Sequence, residues 1–297
     1  MQPSHLLPIG LVLLLSACGG DPSASDRSPS LVIGEGERAS VAVLHQMPTP
    51  NELFVQVRGL SGQGDRRYLN PASQGDRYAS LRSRALNFGV YSTDLVYAST
   101  FELNVEVARY YLATKKLAEA LGLTSVFTDA EFIRLEANLT KGDSLEIISN
   151  EVYMRAYEKL EEADMGPVLT LVLIGGWVES MHLMMMHGEG NTAAETRLRV
   201  AEQRSTLEHL IALSEEKMAD ADVSELRLRL TRILDLYDTM NVHRKPHASK
   251  STSGRMVLGE DIVVEMTEDK YQTIKEAIAS LRAEITRTED QPKTDRP

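Results

Sequence analysis

Two acids interrupt otherwise apolar stretches: Asp94 lies within Ala85 to Thr100, and Glu179 within Val168 to Met186. A carboxylate in such surroundings is costly unless it has a partner or a proton. Aromatic and imidazole groups share the same stretches, with Tyr91 and Tyr97 beside Asp94, and Trp177 and His182 beside Glu179. These six residues form the candidate ligand site or polar core. In one reading they face a small ligand, or the two acids act as general acid and base. In the other they form a closed network that fixes helix register with Tyr hydroxyls, Asn87 and Ser or Thr side chains. The residues favour the network, because buried polar groups are ordinarily paired and no catalytic spacing accompanies the acids. Either reading predicts that Asp94→Asn and Glu179→Gln lower the melting temperature. Whether the acids meet a solvent-reachable cavity or are sealed by hydrogen bonds separates the two.

The remaining chemistry is sparse. Met181, His182, Met184, Met185, Met186 and His187 offer the thioether and imidazole ligands that suit Cu(I). On one helix they point in several directions, and Met commonly fills core gaps, so no metal is assigned. His243 and His247 stand four apart around Pro246, which argues against the helix that would join them at a zinc ion. Gly-Glu-Gly at Gly34 and at Gly188 lacks the strand, helix and lysine of a phosphate loop. His-Glu-x-x-His, Gly-x-Ser-x-Gly and Cys-x-x-Cys do not occur. No catalytic residue is assigned and no cofactor is expected.

The single cysteine, Cys18, follows an apolar run from Leu6 to Leu15 and the small residues Ser16 and Ala17. Such a run has the length of a signal-peptide core and is too short to span a bilayer. Leu15-Ser16-Ala17-Cys18 resembles the lipobox of bacterial lipoproteins, which implies a thioether diacylglycerol on Cys18 and usually a third acyl chain on its amine. Several chains make a stable anchor. The segment before the run departs from the pattern, carrying His5 but no Lys or Arg. Gly19 and Gly20 follow the cysteine, and the lack of Asp there leans toward outer-membrane sorting. The expected location is the bacterial cell envelope, lipid-anchored in the outer membrane and facing the periplasm or the cell surface. Cleavage before Cys18 removes 17 of 297 residues and leaves 280.

With 43 acidic against 32 basic residues the net charge is −11. Nucleic acid and anionic lipid surfaces both require basic patches, so neither is an expected partner of the protein surface. Lipidation consumes the only thiol, which leaves packing alone to stabilise the fold.

These groups must be positioned by helices. Residues 18–47 read as a tether, rich in Gly, Ser and acids, with an apolar patch from Val41 to Leu44 too isolated to weigh. Thr49, Pro50 and Glu52 predict a short helix through Val57, and turn residues dominate from Gly62 to Gly75. Apolar seams run along Leu103, Val107, Tyr110, Thr114, Leu117 and Leu121, along Leu226, Leu230, Ile233, Tyr237 and Met240, and along Tyr271, Ile274, Ile278, Leu281 and Ile285. Gly122 suits a left-handed helix end. Capping pairs are expected at Thr128 with Glu131, Asp143 with Glu146, Thr192 with Glu195 and Asp222 with Glu225. Asn241 to Gly254 reads as a loop, and Met256 to Leu258 with Ile262 to Glu265, split at Gly259, as a short β-hairpin.

The stretch from Val168 to Met186 could span a membrane by length, but Glu179 and His182 would be expensive in lipid. It reads as a central core helix, as does Ala85 to Thr100. Aligning Gly89 with Gly175 sets Tyr91 against Trp177 and Leu95 against Met181, the pattern of a duplicated helical unit about a pseudo-twofold axis. The expected fold is all-α, a bundle of about eight helices over residues 48–288, with a short hairpin before the last helix and a disordered tail at 289–297.

The run from Arg84 to Ala98, the stretch from Tyr111 to Leu123, and Gly175-Gly176-Trp177-Val178-Glu179 resemble uncharacterised helical lipoproteins common in Bacteroidetes. The resemblance covers about Pro50 to Ile285. It implies this architecture and the anchor, and carries over no catalytic or binding residue. The expected function is a non-enzymatic binding or scaffold component of the envelope with a protein partner. The alternative is a small-ligand sensor or enzyme that uses Asp94 and Glu179.

Overall fold

The computed structural model describes residue 58 and residues 63–124, 128–138, 142–187, 193–238, 241–250 and 256–289. Cys18, the tether, the helix expected from Thr49 to Val57, the Thr192 cap and Met240 lie outside the described residues. Two 3-10 turns, Arg66–Tyr68 and Ala72–Arg77, come first. Eight α-helices follow among the described residues: α1 Leu81–Thr100, α2 Asn104–Ala120, α3 Asp129–Glu136, α4 Gly142–Glu162, α5 Gly166–Met186, α6 Ala193–Glu216, α7 Ala221–Asp238 and α8 Glu268–Ile285.

The helices α1 and α5 form the centre because both are covered on nearly every side. All of α5 from Val168 to Met185 is buried except His182. It is long and apolar enough to cross a membrane by length and composition, yet 94% of its apolar window is buried inside the bundle. The two helices cross at their backbones. A Cβ placed on Gly89 would fall on the Val172 carbonyl oxygen, and one on Gly175 would fall on the Leu86 carbonyl oxygen. The contact is therefore reciprocal under the alignment of Gly89 with Gly175, which also equates Leu86 with Val172. Around this pair, α2 and α4 pack on α1, α6 and α8 pack on α5, and α7 closes against α6 and α8.

The sequence seams face this core. Val107, Tyr110, Thr114, Leu117 and Leu121 are buried, as are Leu226, Leu230, Ile233 and Tyr237, and Tyr271, Ile274, Ile278, Leu281 and Ile285. Gly122 adopts φ +79° just past the end of α2, a conformation open to glycine without a Cβ penalty. Thr128 caps α3 by accepting from the Glu131 amide at 3.3 Å. The start of α7 lies elsewhere than expected: Asp220 accepts from the amides of Asp222 and Val223, both at 3.0 Å. Asp222 is thus inside the first turn, because Asp220 carries the same capping chemistry two residues earlier. Asp143 likewise falls inside α4, which begins at Gly142.

The segment from Asn241 to Lys250 differs from the expected loop. It forms strand β1, paired antiparallel with β2, Met256–Glu265, so that Asn241 stands opposite Glu265 and Lys250 opposite Met256. Met256–Glu265 is one continuous strand and does not fold back at Gly259 as expected. Pro246 is tolerated because both strands of a two-stranded ribbon are edges. Four residues along a strand separate the Cα atoms of His243 and His247 by about 13 Å, too far for one metal ion.

Candidate functional site

The residues from Asp65 to Tyr78 cross the core as a strap with only two single turns of regular structure. Backbone groups outside helix and sheet need other partners, and here core side chains supply them. Three come from α1: Asp94 Oδ2 accepts from the Asn70 amide at 3.2 Å, the Tyr91 hydroxyl donates to Pro71 O at 2.8 Å, and the Tyr97 hydroxyl accepts from the Asp65 amide at 3.0 Å. From α2, the Tyr110 hydroxyl donates to Asn70 O at 2.6 Å. His182 of α5 and Arg282 of α8 both donate to Tyr68 O, at 3.2 and 3.3 Å. The Asn70 side chain adds a bond to the Tyr78 hydroxyl at 3.1 Å.

Beneath the strap lie the two acids, neither with any exposed surface. Arg282 forks onto Glu179, donating from Nε at 2.6 Å and from Nη2 at 2.7 Å in a bidentate geometry. Asp94 sits within hydrogen-bonding reach of Glu179, and burial first, then the Glu179 charge, pushes its pKa well above the ordinary carboxylate value. Its Oδ1 has no donor among the described residues. A proton on Asp94 would fill that orphan, leaving Oδ2 to accept from the Asn70 amide.

Burial pushes the Tyr91, Tyr97 and Tyr110 hydroxyls upward, so all three stay protonated at neutral pH. Burial also lowers His182 and His187. Neutral His187 offers Nε2 to the Tyr97 hydroxyl at 2.8 Å, and its ring stacks on Phe101 with centroids 5.1 Å apart. Trp177 stands apart from this network: it is 4% exposed, and its indole nitrogen finds no hydrogen bond among the described residues.

Four of the six expected site residues, Tyr91, Asp94, Tyr97 and His182, bond the strap, Glu179 joins through Arg282, and Trp177 stands outside. Sequence reasoning missed Arg282, Asn70, Tyr78 and Tyr110 as parts of the cluster. Arg282 left no distinguishing trace, because Lys275 follows seam residue Ile274 just as Arg282 follows Leu281. Among the described residues, a cavity of about 410 Å³ opens over the strap and α2, and another of about 260 Å³ beside Arg82 and Glu225. Neither is lined by Asp94 or Glu179. Among the described residues, no group of three or more His, Cys, Asp or Glu side chains could hold a metal ion.

Fold and site together define a helical bundle in which two glycine-crossed central helices hold an ion-paired acid cluster beneath a peptide strap. No family model, no curated protein and no solved structure matches the chain.

Proposed function

We propose that this chain is a lipid-anchored protein of the bacterial outer membrane, held through Cys18, and that it serves as a non-enzymatic binding or scaffold component of the envelope. The observation that carries the non-catalytic half is the closure of the acid cluster. Arg282 holds Glu179, the Asn70 amide of the strap holds Asp94, and both acids have no exposed surface. An acid–base pair needs geometric access to substrate, and here the covering strap is bonded to Asp94 directly and to Arg282, the partner of Glu179. The surface left for a partner is the outside of the bundle and its shallow grooves.

The anchor half rests on Leu15-Ser16-Ala17-Cys18, and the likeness to uncharacterised Bacteroidetes lipoproteins belongs to the same proposal. So does descent of the two central helices from a duplicated unit, which the reciprocal contacts of Gly89 and Gly175 support. Cell fractionation tests the anchor. Wild type is expected in the membrane fraction and Cys18→Ser in the soluble fraction; a variant that still sediments with membranes contradicts it.

A further inference from the structure

The groove over the strap gathers positive charge on a chain whose net charge is −11. Arg66 and Arg67 of the strap and Arg109 of α2 line it against a single acid, Glu106, with Leu69, Pro71 and Tyr110 among the remaining walls. Its volume of about 410 Å³ lies within the range of small-ligand sites. Two of the three guanidinium groups have internal partners, Arg67 on Asp65 at 2.5 Å and Arg109 on Glu106 at 3.0 Å. Both arginines are mostly exposed, and such pairs hold weakly enough to be shared with an incoming anion. Arg66 has no carboxylate partner among the described residues, so its charge is uncommitted. We propose that this groove binds a small oxyanion, a phosphate or carboxylate group carried on a short apolar body. The guanidinium groups match the anion, and Pro71 and Ala72, above the buried Leu69 and Tyr110, match the body.

Occupancy would also brace the strap. The Tyr110 hydroxyl holds Asn70 O, and the Asn70 amide bonds Asp94, so a ligand seated on the neighbouring Pro71 damps opening of that amide. The inference rests on the binding half of the function proposed above and is independent of the anchor, which fractionation tests separately.

Phenyl phosphate is the soluble probe, and vesicles of phosphatidylglycerol, compared with phosphatidylcholine, present the same chemistry as a headgroup. Both are applied to full-length Cys18→Ser, so that the anchor contributes nothing. Phenyl phosphate at about ten times its Kd is expected to raise Tm by roughly 3–5 °C and to slow hydrogen exchange at the Asn70 amide. Arg66→Glu removes both effects and Arg66→Lys keeps most of them, while either variant alone melts like its parent because Arg66 is exposed and unpaired. Flotation with phosphatidylglycerol vesicles alone, lost in Arg66→Glu, supports the site with a lipid headgroup as source. No response to either probe, or a response that Arg66→Glu leaves intact, overturns the proposal.

Discussion

Asp94 and Glu179 share a cluster but not a role. Neutralising Asp94 reproduces the state it already holds, since an Asn amide can donate to Glu179 while its oxygen accepts from the Asn70 amide. Asp94→Asn is therefore expected to cost less than about 1 kcal/mol at neutral pH, a smaller loss than the sequence alone suggests. Its pH signature is specific. A carboxyl whose folded pKa lies above its unfolded value of 3.8 contributes stability that is fully present below the unfolded value and is lost as pH rises through the folded one. The stability of wild type relative to Asp94→Asn should fall over that window. His182 and His187, with folded values below 6.5, act in the opposite sense and weaken the fold as pH drops below that point. They are common to both proteins and cancel in the difference. Parallel urea midpoints for the two proteins across pH 4 to 8 would contradict a protonated Asp94.

At the scale of elements, the helices were largely legible and their meeting points only partly so. Each seam repeats every three or four residues, and that local periodicity survives into the folded bundle because every helix buries one face. The α7 start was misplaced because Asp220 and Asp222 have the same capping chemistry and only geometry chooses between them. Asn241 to Lys250 reads as a loop because it is polar and interrupted by Pro246, and its strand partner lies in a later segment. The central crossing was visible as paired glycines, but the need for glycine is set by an opposing backbone. Gly89→Ala and Gly175→Ala should each cost more than about 3 kcal/mol, since a carbonyl rather than a movable side chain stands in the way. Thermal melts within a few degrees of wild type would mean that α1 and α5 do not meet at their backbones.

The whole molecule is tied together by contacts that no local pattern encodes. Arg282 reaches Tyr68 O across 214 positions. The Tyr78 hydroxyl donates to Thr286 O at 3.2 Å, and the Asn87 side-chain Nδ2 donates to Ile285 O at 2.9 Å, fastening the end of α8 to α1 and the strap. Glu289, assigned from sequence to a disordered tail, accepts from the amides of Ala79 and Ser80 at 2.9 and 2.8 Å and from the Ser80 hydroxyl at 2.6 Å. It thereby supplies an acid to the N-terminus of α1, a favourable match to the helix dipole. The Ser80 hydroxyl first, with help from the backbone amides, holds Glu289 below its ordinary value of 4.5. Stability from that latch is present above the unfolded value and is lost as pH falls through the folded one. Glu289→Gln should cost about 0.5–2 kcal/mol at pH 7 and much less at pH 3; an equal cost at both would remove the latch from the account.

The claim on which the site reading depends is that Glu179 and Arg282 form a structural ion pair beneath the strap, and a double-mutant cycle in thermal or urea unfolding tests it most directly. Removing one partner leaves the other charge buried, so Glu179→Gln and Arg282→Gln should each cost about 3–5 kcal/mol. The double variant should cost clearly less than the sum, with a coupling of roughly 2 kcal/mol. Single variants that melt like wild type, or losses that simply add, would contradict it.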